Sequence, residues 1–441
     1  MKKHLYIETW GCQMNLHQSE GIVGLLEERG LSLTDSLDDA DVVIFNTCLV
    51  RQKAEEKVYG RIGAVAQLKK EKDVLFGVGG CLPQVRKEDL LKRFPTIDFL
   101  FGSSDLASLP AFIAEVEGQK RRIAHLPEPT GIDEIESHRT STVTAMVTIT
   151  QGCSNFCSYC IVPYARGPLR SRAPENVLLE VEALVQAGYP EILLLGQNVD
   201  SYGRDRPEYG DFADLLDRVA RVEIPRIRFT SSHPRDMTLR VIERIAEHEN
   251  ICNHIHLACQ SGSDRILKEM NRGYTSDEFL AIITAARRAI PRVNITTDLI
   301  VGYPGESEVD FRESLDLIEE VHFGSIFVAK YSPRPGTRSA GLPDDVPQEV
   351  KNVRLQEVLE RQRTIALEEN RRQIGRILTI LVEGSRGDGT FYGRADDHRT
   401  VVLPGTEKAY LGEFIPVRIE EASAAALTGE RVLPVASKGA L

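Results

Sequence analysis

Eight cysteines stand in this chain of 441 residues, and six of them fall into two sets of three. The first set is compact, Cys153-Ser154-Asn155-Phe156-Cys157-Ser158-Tyr159-Cys160. That spacing gathers three thiolates around one small volume, on a loop free to wrap an inorganic core. Thiolates suit zinc or an iron–sulfur cluster. Zinc would want a fourth Cys or His close by, and none follows at short range. On a cubane cluster, three thiolates leave one iron open to a substrate or cofactor. The second set is dispersed over Cys12, Cys48 and Cys81, each just beyond a short apolar run at residues 5–7, 42–45 and 74–78. If those runs are parallel strands, their carboxyl ends share one edge, the usual ligand crevice of an open α/β sheet. Topology would then bring together thiols that the sequence keeps apart. Three separately packed core cysteines are the alternative. Cys252 and Cys259 have no partner at ligand spacing and read as packing residues.

The elements that must position these residues follow from periodicity. Residues 1–118 alternate β-branched runs with amphipathic helices, the first helical pattern spanning 19–29. This is the pattern of a parallel α/β sheet covered on both faces. A stretch rich in charge, Pro and Gly at 118–141 reads as a linker. Six strand candidates follow at 145–150, 192–195, 227–230, 254–257, 295–301 and 326–331, separated by helical patterns. They predict a partial (β/α)6 barrel, with a doubly wound sheet as the other solution. A long charged helix at 349–372 leads into short alternating strands divided by glycines, a small all-β barrel. The expected domains of this α/β chain are 1–118, 139–371 and 372–437.

The CxxxCxxC loop resembles the signature of the radical S-adenosylmethionine (SAM) superfamily. Nearly the whole chain is similar to the radical SAM methylthiotransferase family. The similarity is carried by Gly11-Cys12-Gln13-Met14-Asn15, Asn46-Thr47-Cys48, Gly80-Cys81, residues 157–167, Ser232-His233-Pro234-Arg235-Asp236, Gln260-Ser261-Gly262-Ser263, residues 300–306 and residues 331–337. Residues 391–412 resemble a TRAM domain, a small OB-like RNA-binding barrel. One segment departs: Leu257-Ala258-Cys259-Gln260 stands where the family usually has Leu-Pro-Val-Gln.

The resemblance implies two 4Fe–4S clusters, one on Cys153, Cys157 and Cys160 and one on Cys12, Cys48 and Cys81. SAM would occupy the open iron of the first. Tyr159 takes the position that packs near the adenine, and Gln197 and Gln260 are further cofactor-binding candidates. No catalytic residue is assigned beyond the clusters. The implied reaction removes hydrogen from C2 of an adenine ring in tRNA and replaces it with a methylthio group. One SAM is the radical source and a second the methyl donor. Gln13-Met14-Asn15 and His233-Pro234-Arg235-Asp236 point to N6-dimethylallyladenosine next to the anticodon. Threonylcarbamoyl-adenosine in tRNA, or a ribosomal protein side chain, is the alternative substrate. The implied partners are the tRNA anticodon stem-loop, an electron donor such as flavodoxin or ferredoxin, and a sulfur source.

Charge bears on the RNA expectation. With 54 Lys and Arg against 65 Asp and Glu, the net charge is −11. That excludes a protein that coats nucleic acid or anionic membrane by bulk charge. No run approaches the ~18 apolar residues of a membrane span, and the first nine residues lack the core of a signal peptide. A soluble cytoplasmic enzyme with reduced cysteines is expected. Any grip on RNA must be local. Arg166, Arg170, Arg172, Arg334 and Arg338 are expected at the barrel mouth, and Arg371, Arg372, Arg376, Arg386, Arg394 and Arg399 in the tail.

Overall fold

The computed structural model describes residues 3–49, 52–119, 121–129, 131–132, 134–135, 137–405 and 409–432. The end of the expected tail domain, 433–437, lies outside them. Six parallel strands form the N-terminal sheet, in the order Ser32–Leu33, His4–Thr9, Val42–Thr47, Leu75–Gly80, Phe99–Phe101 and Ile123–His125. Val42–Thr47 is buried at every position, as a run covered on both faces must be. Its register sets the site: Thr9, Asn46 and Gly79 lie level across three neighbouring strands. The chain therefore leaves all three strands at one edge.

Two expectations change here. The first helix runs Gln13–Glu27 rather than over 19–29. Its opening turns are polar in sequence yet buried at Asn15, Gln18 and Ser19, because those side chains bind neighbouring loops instead of water. The linker contributes a strand, Ile123–His125, at the sheet edge. Arg122 anchors it by donating to the carbonyls of Ile97 and Phe94.

The central region forms two three-stranded parallel sheets, Thr144–Thr148, Glu191–Leu195, Arg226–Phe229 and His254–His256, Asn294–Val301, Ser325–Lys330. Single parallel bridges at Ile227–Ile251 and Ser232–Leu257 join them. The first and last strands are not paired, so the six-strand barrel is partial and open on one side. The turn after Asn294–Val301 is a strand-to-helix connection: Gly302, at φ +72°, donates its N–H to Glu306, which also binds Arg354.

The helix Gln348–Arg371 leads to a closed five-stranded barrel of Ile377–Ser385, Phe391–Ala395, Thr400–Leu403, Leu427–Arg431 and Phe414–Ala422. Its hairpin tip docks on the amino-terminal end of the partial barrel. Arg226 and Arg228 donate to the carbonyls of Arg394 and Ala395 (2.9 and 2.7 Å). Asn294 reaches the Asp397 carbonyl (2.7 Å), and His254 stacks on His398. Burial is the main force lowering the pKa of both histidines, so the stack is neutral. The tail barrel thus sits at the end opposite the cysteine loops.

Close packing limits the N-terminal sheet. A Cβ added at Gly77 would lie 2.1 Å from Cζ of Phe99, which is itself fully buried against Phe101 and Phe112. Gly77→Ala should destabilise the N-terminal sheet by about 1–3 kcal/mol through overpacking. Urea unfolding read at that domain checks this; an unchanged midpoint contradicts it.

Candidate metal centre

The second cysteine set converges. Cys12 caps the helix Gln13–Glu27, Cys48 follows Val42–Thr47, and Cys81 opens the helix Cys81–Arg86. Gly11, at φ +148°, lets the chain turn in: a Cβ there would meet Cβ of Cys48 at 2.6 Å. Asn15 ties the edge together, accepting from the Cys12 thiol (3.2 Å) and donating to Asn46 (3.1 Å) and the Thr47 carbonyl (3.2 Å). The thiols differ electrically. A hydrogen bond from Cys48, the nearby Arg166 cation and the Asn15 and Met14 N–H groups outweigh burial and bring Cys12 down to about 5. Burial pushes the Cys81 thiol up, with Arg166 opposing it.

The first set sits on the loop after Thr144–Thr148. Cys153 N–H binds the Gly167 carbonyl (3.1 Å), and Cys160 N–H that of Cys157 (2.9 Å). Phe156 adopts φ +47°, held by Asn271 donating to the carbonyls of Asn155 and Phe156 (3.2 and 3.0 Å). Arg272 donates to Cys157 Sγ (3.3 Å) and over its own length meets Tyr274 and the Ala258 carbonyl. Burial pushes Cys160 up to about 12.

The segments that carry the two sets pack together. The helix Val162–Arg166, which directly follows Cys160, packs against Cys81–Arg86, and its Ile161 and Ala165 belong to the N-terminal domain's core. Ser103 donates to the Ala165 carbonyl (2.8 Å) while its own carbonyl accepts from Gln18 and Gln151. Met14 packs on Leu193 and Leu195 of the barrel.

The remaining candidates are placed as follows. Tyr159 is half-buried against Tyr303, Tyr331, Ile266 and Met270. Gln197 accepts the Gly152 N–H and so orders the cysteine loop. Gln260, at φ +69°, bridges the Asp298 carbonyl and the Ile300 N–H through its backbone. Cys259 donates to the Asp298 carbonyl and Cys252 lies beside Arg228; both are buried. His233 is neutral, its pKa driven down by burial and then by Arg272 and Arg235. Gly196 has no room for a Cβ, Thr150 Oγ1 lying 2.1 Å from that position; Thr150 Oγ1 and Asn198 Oδ1 are buried without a hydrogen-bond partner among the described residues.

Three of the five arginines expected at the mouth are turned inward or engaged by the protein itself. Arg166 is 2% exposed, turned in among the three dispersed cysteines. Arg170 binds the carbonyls of Pro129 and Gly131, and Arg172 pairs with Glu180. Arg334 is half-buried near Glu55 and Cys48, while Arg338 is exposed. In the tail, Arg372, Arg394 and Arg399 pair with Glu369, Glu383 and Asp397. Arg371, Arg376 and Arg386 are exposed with no carboxylate partner among the described residues. Guanidiniums this close to carboxylates and carbonyls satisfy them first.

Sequence reasoning missed Arg272, Asp200 and Asn155. Arg272 lies 115 residues from Cys157 and belongs to no local motif. Asp236 is fully buried and binds Arg204, Arg235, Asn155 and Asn198; burial pushes the nearby Asp200 up to about 7.

Residues 147–318 match the radical SAM superfamily, 4–102 the uncharacterized protein family UPF0004, and 371–432 the TRAM domain. A tRNA-2-methylthio-N(6)-dimethylallyladenosine synthase of Carboxydothermus hydrogenoformans is 46% identical over 428 residues, covering 95% of this chain and 97% of the relative. The protein of that name from Syntrophobacter fumaroxidans is 44% identical, covering 97% and 95%. Among solved structures, the radical SAM methyltransferase TsrM of Kitasatospora setae, with cobalamin and a [4Fe-4S] cluster bound, aligns at a TM-score of 0.58 and 13% identity, covering 77% and 74%. The cobalamin-dependent SAM radical enzyme OxsB aligns at 0.51 over 82% of this chain and 56% of its own. These two share the fold.

In metal-free, reduced protein, iodoacetamide should label Cys12 at a rate nearly flat between about pH 6 and pH 8. A thiol at about 5 is already ionised there, whereas Cys160 at about 12 stays protonated and unlabelled. Peptide mass mapping reads both; an about tenfold rise in Cys12 labelling per pH unit contradicts the assignment.

Proposed function

The chain belongs to the tRNA-2-methylthio-N6-dimethylallyladenosine synthase family, and on that premise we propose how its own residues serve the reaction. The protein is a radical SAM methylthiotransferase that acts on C2 of N6-dimethylallyladenosine in tRNA. It uses SAM and iron–sulfur clusters. In our reading Cys153, Cys157 and Cys160 hold one 4Fe–4S cluster, and Cys12, Cys48 and Cys81 hold the second. The donor sets suit this: each offers three thiols, the number that leaves one iron open. Gly152 makes a cradle with no room for a side chain, since a Cβ would lie 2.0 Å from the Pro168 carbonyl oxygen. When bound, these groups supply a radical strong enough to take an unacidic ring hydrogen and a sulfur that can be methylated.

The chain's residues do the rest. Arg272 balances the charge of the first set, and Gln197 fixes the loop that carries it. Tyr159, half-buried on the packed Tyr303 and Tyr331, offers an aromatic face for the adenine of SAM, and Gln260 is a further cofactor-binding candidate. The packed seam between the helices Val162–Arg166 and Cys81–Arg86 limits water around the sets, which a reactive radical requires. Cys12 and Gly11 remain exposed, an opening through which an unstacked base could reach the seam.

RNA recognition rests on a different feature from the arginines at the mouth. Phe156 and Tyr164 are 52% and 49% exposed, edge to face at 6.2 Å on the cysteine loop and the helix after it. Exposed rings there can stack the splayed bases of an anticodon loop. Arg371, Arg376 and Arg386 would hold the backbone from the TRAM barrel. A low-potential donor such as flavodoxin or ferredoxin, and an external sulfur source, complete the scheme. No described helix is long and apolar enough to cross a membrane. A cytoplasmic location accords with eight cysteines that form no disulfide.

What supports this reading is that three thiols converge in each set, and that the helix following the first set packs on the helix Cys81–Arg86 of the second. Replacing Cys12, Cys48 and Cys81 by Ala should remove about one cluster of iron per chain and abolish methylthiolation. Cys153→Ala should form no deoxyadenosine. Nucleoside mass spectrometry of tRNA from a deletion strain, with and without the gene, identifies the modified base; unmethylthiolated dimethylallyladenosine must accumulate in its absence. Phe156→Ala with Tyr164→Ala should weaken tRNA binding by about 1–3 kcal/mol per lost stack while leaving iron content unchanged. Wild-type tRNA affinity in that variant would remove the stacking role.

A further inference from the structure

Each cysteine set has one buried guanidinium beside it, and the two are not equivalent. Arg272 is fully engaged: Nη1 on Cys157 Sγ, Nη2 on the Ala258 carbonyl, Nε on the Tyr274 hydroxyl. Arg166 is not. Its Nη2 donates to Gln18 Oε1 (3.0 Å) and, at 3.5 Å, to Asn15 Oδ1. Its Nη1 is buried and has no hydrogen-bond partner among the described residues. No carboxylate pairs with it there; Cys81 hydrogen-bonds the guanidinium, and Cys81, Cys12 and Cys48 act on it through charge, which leaves Nη1 as the open donor. A buried cation with a vacant donor is costly unless something anionic completes it. The cation reaches the set from the barrel side, on the helix that begins just after Cys160.

We propose that Arg166 is the anion-holding residue of the Cys12, Cys48 and Cys81 site, its vacant Nη1 taking the anionic sulfur species, hydrosulfide or a small thiolate, that the reaction consumes. This rests on the reading that those cysteines hold an open-iron cluster. Arg166 is then a positioning residue: it fixes where the sulfur points and stabilises negative charge on the site. Gln18 and Asn15 hold the guanidinium plane, and Asn15 also holds the Cys12 thiol, so cation and ligand set share one support.

The test uses the full chain carrying Cys153→Ala, Cys157→Ala and Cys160→Ala, reconstituted so that only the second cluster is present. Sodium hydrosulfide is titrated against its EPR spectrum, and the midpoint potential is measured. Arg166→Gln should bind hydrosulfide about tenfold more weakly or worse, as expected for loss of one charge-assisted hydrogen bond. Its midpoint potential should fall, because a nearby positive charge favours the reduced, more negative cluster. Arg166→Lys should restore the potential and most of the affinity, with iron per chain constant throughout. Hydrosulfide affinity unchanged in Arg166→Gln overturns the proposal. So does equal impairment of the Gln and Lys variants, or loss of iron in both, which would make Arg166 a scaffold residue. If the parent chain itself holds no cluster, it is the ligand assignment of the second set that fails.

Discussion

Three thiols drawn together in each of two places, half of the six buried, are the constraint on which the rest of this molecule depends. A thiol taken out of water resists ionisation, as burial does to Cys160 and Cys81. Metal ligation needs the opposite. The fold answers with positive charge and N–H groups delivered from several elements: Arg272 at Cys157, Arg166 among the dispersed cysteines, and backbone N–H groups at the start of the helix Gln13–Glu27. The N-terminal domain does not supply its site alone, since Arg166 comes from the central domain. The helix that follows the compact cysteine loop completes the core of the N-terminal domain, so closing that core and facing the two sites are one event.

The barrel's two ends are used for different purposes. Its carboxyl end carries the cysteine loops and the Asp236 cage, as barrel active sites do. Its amino end is capped by the tail hairpin through Arg226, Arg228 and Asn294, with neutral stacked histidines filling the contact. Arg228 also pairs with Glu191, both nearly fully buried. Removing either partner would strand a buried charge. This attachment fixes the tail barrel relative to the site without occupying the mouth. The net charge of −11 fits this economy: many arginines that composition would offer to RNA are engaged by carboxylates and carbonyls inside the protein.

Much of this was legible in the sequence. Continuous β-branched runs such as Val42-Val43-Ile44-Phe45 can only be buried strands, and the chain direction then places Cys12, Cys48 and Cys81 at one edge. Periodicity located all six strands of the partial barrel and the helix before the tail. The strand Ile123–His125 was not legible, because three residues are too few for a period to register and Arg122 anchors them by non-local bonds. The first helix was read too short because its buried polar turn looks like a loop.

What the sequence by itself determined is the chemistry: which residues can bind metal, that there are two sets of three, and that the strands end beside them. Only the tertiary structure decided which charges serve those residues. Arg166 looked like one of several surface arginines and proved to be buried among thiols, whereas Arg272 carried no signal and lies against Cys157. The physical reason is range. Spacing and periodicity report on neighbours within a turn or a strand, but the electrostatics of a buried thiol are set by whatever packs within a few ångströms, from any distance along the chain.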